Sequence, residues 1–187
     1  MTNQCLFFIA LLPPEEIQCE VTQIKQYFAQ KYDSRHALKS PPHITLQPPF
    51  KWLISDLKRL EQSLECFAVQ QASFSVTLSG FNAFAPRVIY IDVVKTTALM
   101  NLQNNLVTDL QENLGELNQG SSHHCFTPHM TVAFRDLTRK NFRVGWTEFQ
   151  NQSIQFEFVA HQLTLLIHTG KHWRIYQEYL FGQSQQN

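Results

Sequence analysis

Cysteine is sparse in this 187-residue chain, and its four copies, Cys5, Cys19, Cys66 and Cys125, form no Cys-x-x-Cys pair. Reduced thiols rather than bridges are expected from such spacing, which favours a cytoplasmic protein. Net charge is missing too, since 15 Lys and Arg balance 15 Asp and Glu. The basic residues are scattered singly, so nothing resembles the stripe that grips a long duplex by neutralising its phosphates. A nucleic-acid substrate would have to be held locally, at an end. The apolar run Leu6–Leu12 is too short to span a bilayer, has no basic residue ahead of it, and ends in Pro13-Pro14-Glu15-Glu16 rather than a small-residue cleavage site. It reads as a buried strand, with no membrane span and no signal peptide implied.

What the chain does have is a repeated motif. Pro41-Pro42-His43-Ile44-Thr45-Leu46 returns as Thr127-Pro128-His129-Met130-Thr131-Val132. In a strand, alternation puts His and Thr on one face and buries Ile44 and Leu46, or Met130 and Val132, on the other. The proline before each His favours an extended entry and a strand start or edge.

The elements around the motifs are duplicated as well. A helix over about 14–32 carries Ile17, Val21, Ile24 and Phe28 on one stripe, with Lys25 off it. Gln47-Pro48-Pro49-Phe50 is expected to stop the first motif strand abruptly. A second helix follows, with Ser55 as N-cap and Leu57, Leu60, Leu64 and Phe67 at helical spacing. Two strands come next, through Phe74–Leu78 and Val88–Val94, joined by a loop containing Gly80 and Pro86. The order then restarts with a leucine-striped helix from Thr97 to a left-handed cap at Gly115. After the second motif come a helix over 138–149, weakened by Gly145, and strands through Ile154–Phe158, Leu163–Ile167 and Trp173–Phe181.

Such a pattern predicts an α+β fold: bilobal, internally duplicated, two antiparallel-rich sheets facing across a cleft with helices outside. The first-motif half covers about 14–95 and the second about 97–187 of one domain, with strand 5–12 joining the core. The two motif strands are expected to meet across the cleft.

Two histidines make an acid and a base, because an imidazole of pKa about 6.5 takes or gives a proton near neutrality. For a phosphodiester, one would take the proton of an attacking water and the other would protonate the departing ribose oxygen. Thr45 and Thr131 would donate to the non-bridging oxygens. Continued alternation adds Ala133 and Arg135 to the same face, where a guanidinium would clamp phosphate, and Gln47 on the first strand. The scheme needs neither metal nor cofactor.

With its paired His-x-Thr units, each ending in an apolar residue and preceded by an N-terminal apolar strand, the chain resembles the 2H phosphoesterase superfamily. Within it, the resemblance is to the 2'-5' RNA ligase or RNA 2',3'-cyclic phosphodiesterase branch. It implies that His43 and His129 are acid and base, that Thr45 and Thr131 hold phosphate, and that the substrate is a small nucleotide or RNA 3' end carrying a 2',3'-cyclic phosphate; a monomer is expected. Reversible 2'-5' ligation would be the reverse chemistry.

Two other classes stay open. A silent nucleotide-binding module would use the same cleft without turnover. A zinc hydrolase would use His123, His124, Cys125 and His129, although adjacent residues on an extended chain point apart. His161, His168 and His172 read as structural or surface residues. Of the aromatics near the motifs, Phe50, Trp52, Phe84 and Phe126 could stack on a base, though core packing is the commoner use.

Overall fold

Strand β1 (Gln4–Leu11) buries both of its faces, and this sets its place at the interior of a sheet. Phe7, Ile9 and Leu11 enter the main core, while Phe8 and Ala10 join Leu166 in a smaller cluster on the opposite face. The computed structural model describes residues 3–115, 117 and 125–182. Among them are two four-stranded antiparallel sheets and four α-helices, in keeping with the expected α+β class.

The first sheet runs in the order β2 (Ile44–Leu53), β1, β7 (Gln162–His168), β8 (Trp173–Leu180). The second runs β5 (His129–Ala133), β4 (Val88–Val93), β3 (Phe74–Phe84), β6 (Gln155–Ala160). Each motif strand is therefore an edge strand, paired with one neighbour, β1 or β4. The first sheet joins strands from opposite ends of the described chain, and the second is built from its middle, a division that no local pattern in the sequence could reveal.

Helix α1 (Glu15–Lys31) and α4 (Arg139–Phe149) lie against β5 and β4 of the second sheet. Helices α2 (Leu57–Ala68) and α3 (Thr97–Leu114) lie against β8 and β2 of the first. The connection from β1 to β2 thus covers the sheet that holds β5, and the connection from β4 to β5 covers the sheet that holds β2. This exchange brings β2 and β5 within 8 Å of one another, Cα to Cα.

Several local expectations are corrected. β2 does not stop at Pro48-Pro49; it continues to Leu53 because it is an edge, and the prolines sit where the β1 register slips between Phe7↔Phe50 and Ile9↔Gln47. A bulge on an edge strand is one of the few places in a sheet that tolerates residues without N–H. Ser55 is not the cap of α2; it lies in a short 3-10 turn, and Asp56 takes the N-cap position. α4 forms as expected and runs unbroken through Gly145. A Cβ there would meet the Phe28 ring at 3.2 Å, so glycine lets α4 close on α1, where Phe28 and Phe149 stack at 4.6 Å. Lys31 and Glu148 pair at 2.7 Å across the same seam. Lys25, expected off the buried stripe, is only 2% exposed.

Candidate active site

Each motif histidine is held in the same way. His43 Nδ1 lies 2.6 Å from the Pro41 carbonyl, and His129 Nδ1 lies 2.7 Å from the Thr127 carbonyl. In both cases the accepting carbonyl belongs to the residue just before the proline, and the ring turns back upon it. A carbonyl only accepts, so Nδ1 carries the hydrogen and, in the neutral ring, Nε2 is left with its lone pair. Thr45 and Thr131 follow two residues later on β2 and β5, half-buried like the histidines, while Ile44, Leu46, Met130 and Val132 fill the core. The alternation expected of the motif strands is the one observed.

The four motif side chains line one cleft of about 560 Å³ between the two sheets. Its walls add Phe8, Phe84, Phe134 and Trp173, and the cations Lys39, Arg135 and Lys171. His43 packs on Phe8 at 4.7 Å between centroids, and His129 on Phe84 and Tyr90 at 5.0 and 5.1 Å. Of the aromatics singled out from the sequence, Phe84 lines the cleft, whereas Phe50 is a core residue and Phe126 packs against that core. Trp52 donates its indole N–H to the Asp56 carbonyl. His36 and His168 line the cleft and His172 an adjoining groove.

Arg135 reaches the cleft by an unexpected route. β5 ends at Ala133, which is fully buried, and Arg135 lies beyond it with φ at 58°, in the left-handed region. Its Nη1 lies 3.3 Å from His36 Nε2, and its guanidinium lies 5.5 Å from the Phe134 ring centre. The next residue, Asp136, accepts from Ser34 Oγ and from the backbone N–H groups of Arg35 and His36 at 2.8–3.1 Å. The loop after the second motif is thereby fastened to the loop before the first. Gln47 is 7% exposed and is not among the cleft-lining residues.

The two imidazoles differ electrostatically. Burial, then the Lys25 ammonium, pushes His43 down to about 4. Burial also lowers His129, but the Thr127 carbonyl and Asp92, its partner across the β4–β5 ladder, oppose the shift. Lys25, on α1, donates to the Ser40 carbonyl at 3.2 Å and is itself lowered to about 7 by burial. No sequence signal marked it, because a lysine off the apolar stripe reads as solvated.

His123 and His124, half of the conceivable zinc set, lie outside the described residues. Among the described residues no group of three or more His, Cys, Asp or Glu could hold a metal ion, and all four cysteines are free. None of the described helices is long and apolar enough to cross a membrane.

Residues 13–172 match the family model described as the 2'-5' RNA ligase superfamily. A protein of Geobacillus kaustophilus named "Putative phosphoesterase" is 27% identical over 178 residues, covering 93% of this chain and 95% of its own length. In fold, the chain is similar to TT0787 of Thermus thermophilus, with a TM-score of 0.65 at 18% identity over 94% of this chain and 97% of that one. It is similar also to E. coli LigT in a crystal structure with 3'-AMP, with a TM-score of 0.64 at 16% identity over 96% and 99% of the two chains. With a family model spanning both motifs and the same fold in these neighbours, the chain belongs to the 2'-5' RNA ligase superfamily of 2H phosphoesterases.

Proposed function

We propose that this protein hydrolyses a 2',3'-cyclic phosphodiester at an RNA 3' end or on a small nucleotide, with His43 and His129 as the acid–base pair. The observation that supports it most is the matched pair of Nδ1–H to carbonyl bonds, which gives both imidazoles one tautomer at one cleft. Water adds to phosphorus as one imidazole takes its proton on Nε2. The bond from phosphorus to one ribose oxygen breaks, and the other imidazole, as imidazolium, protonates that oxygen. The product is a phosphomonoester beside a free hydroxyl, and protons balance without a metal.

The inequivalence of the histidines favours roles. His43, kept neutral by burial and by Lys25, suits the base; His129, with Asp92 beside it, suits the acid. Thr45, Thr131 and Arg135 would donate to the non-bridging oxygens as negative charge gathers there. With a 5'-hydroxyl in place of water, the same groups would form a 2'-5' linkage as the bond from phosphorus to the 3' oxygen breaks and that oxygen takes the acid's proton. Binding of 3'-AMP by LigT agrees with a nucleotide as the ligand class.

The test is hydrolysis of the four nucleoside 2',3'-cyclic phosphates, with EDTA present, by wild type, His43→Ala and His129→Ala. Turnover by wild type that falls by on the order of 10² to 10⁴ in each variant supports the scheme. Wild-type turnover that survives both substitutions, or that appears only on adding zinc, overturns it.

A further inference from the structure

The main cleft continues into a second, smaller groove. The two share Lys39, Ser40 and Trp173, and the smaller adds His172, Arg174 and the buried Lys25. Neither space has a single Asp or Glu in its lining, although the chain carries 15 of them. Nor is any of Lys39, Lys171 or Arg174 in an ion pair among the described residues. Lys25 has three donors and a single described hydrogen bond, to the Ser40 carbonyl. A concavity lined by one sign of charge concentrates the field and attracts the opposite charge.

Size narrows the occupant. The groove has about 270 Å³, against about 560 Å³ for the cleft. The cleft falls within the roughly 300–1,000 Å³ of pockets that enclose nucleoside-sized molecules, and the groove falls below it. A phosphate fits the smaller space, and its cationic lining is what selects one. Trp173 stands between them, half-buried, with its ring at 4.6 Å from Phe8 and in reach of both volumes.

We propose that the groove bounded by Lys39, His172 and Arg174 holds a second phosphate of the substrate. The inference rests on the cyclic-phosphodiesterase reading above. If the reacting phosphate bridges the 2' and 3' oxygens between the two histidines, the remaining attachment point on the same nucleotide is the 5' oxygen. The second phosphate is then either the linkage to a preceding nucleotide or a 5'-phosphate. A nucleoside cyclic phosphate without a 5'-phosphate is accordingly a minimal substrate that leaves the groove's cations unused.

Equilibrium binding separates this from the catalytic reading. Adenosine 3'-phosphate and adenosine 3',5'-bisphosphate are titrated calorimetrically into wild type, Arg174→Ala, Arg174→Glu and Lys39→Ala, each at two salt concentrations. The bisphosphate is expected to bind wild type roughly tenfold or more tightly, as a charge-assisted contact would give. That advantage shrinks in the alanine variants, vanishes in Arg174→Glu and falls with salt. Equal affinity for the two nucleotides, or an advantage that persists in Arg174→Glu, overturns the proposal. Turnover of adenosine 2',3'-cyclic phosphate is then compared with and without a 5'-phosphate, and with an RNA dinucleotide ending in the cyclic group. A gain common to both extended substrates assigns the site to the shared phosphate, whereas a gain with the dinucleotide alone overturns phosphate recognition in favour of the extra nucleoside. Hydrolysis of none of them overturns the catalytic reading while the binding result stands by itself.

Discussion

Lys25 Nζ donates to the Ser40 carbonyl across 3.2 Å, three residues before His43. A buried ammonium without a carboxylate partner is costly, and burial lowers it from 10.5 to about 7. The unfolded chain therefore binds this proton more tightly than the folded one. Its penalty is absent above 10.5, grows as pH falls towards 7, and is constant below that. Lys25→Met is expected to raise stability at neutral pH by about 1–3 kcal/mol, and to flatten the pH dependence between 7 and 10.5. Urea denaturation across that range checks both. NMR titration of the histidine rings checks the local effect, an upward move of His43 once the neighbouring charge is gone.

The pH dependence of catalysis follows from the two imidazoles. With His43 as base at about 4 and His129 as acid below 6.5, kcat/KM should climb as pH rises through about 4 and decline before 6.5 is passed. An optimum above neutrality would contradict the assignment of roles. Stability carries the same sign on the acid side. His43 protonates at 6.5 when unfolded and at about 4 when folded, so its contribution is complete above 6.5 and is lost as pH falls to about 4.

Thr45→Val and Thr131→Val keep the shape of each side chain and remove the hydroxyl. Each is expected to lower kcat/KM by on the order of 10², the effect of losing one preorganised donor, with much of it in kcat. Thr→Ser should recover most of the activity. Steady-state kinetics on a cyclic nucleotide decide the matter. A loss confined to KM would mean that the hydroxyls bind ground state and transition state alike.

Arg135 offers a separable test, since its φ of 58° favours glycine. Arg135→Gly should relieve strain and leave stability unchanged or up by about 1 kcal/mol, while phosphate-competitive inhibition weakens roughly tenfold. Arg135→Lys retains the charge but not the planar fork, and should fall between. Loss of stability in Arg135→Gly without loss of anion affinity would make the residue structural.

The paired histidines and threonines are legible in the sequence because the motif is short, repeated and self-contained. Its prolines, alternation and catalytic side chains all fall within six residues. Helices α1 to α4 are legible from their apolar spacing. What the sequence conceals depends on partners remote along the chain. Pro48-Pro49 look like a stop because only the sheet order reveals that β2 is an edge. Arg135 enters the cleft through a left-handed residue rather than by the alternation that places Thr131. Asp136 bonds to residues 100–102 positions earlier. Lys25 is buried beside Ser40, Pro41 and Trp173, none of them near it along the chain.

The strand order of the first sheet governs the order in which the protein can be built on a ribosome. The inner partner of β1 is β7, with Phe7 opposite Ile167, so β1 waits for the whole stretch between the two strands to be made before it meets this neighbour. The second sheet is completed by β6, before β7 has emerged. Until then the nascent chain holds a strongly apolar β1 whose second edge is open, with only β2 to pair with. Pairings so distant along the chain close slowly, and the interval is when an exposed edge is most open to the wrong partner. The interleaving that joins the two halves of the cleft thus makes its assembly one of the last events of folding.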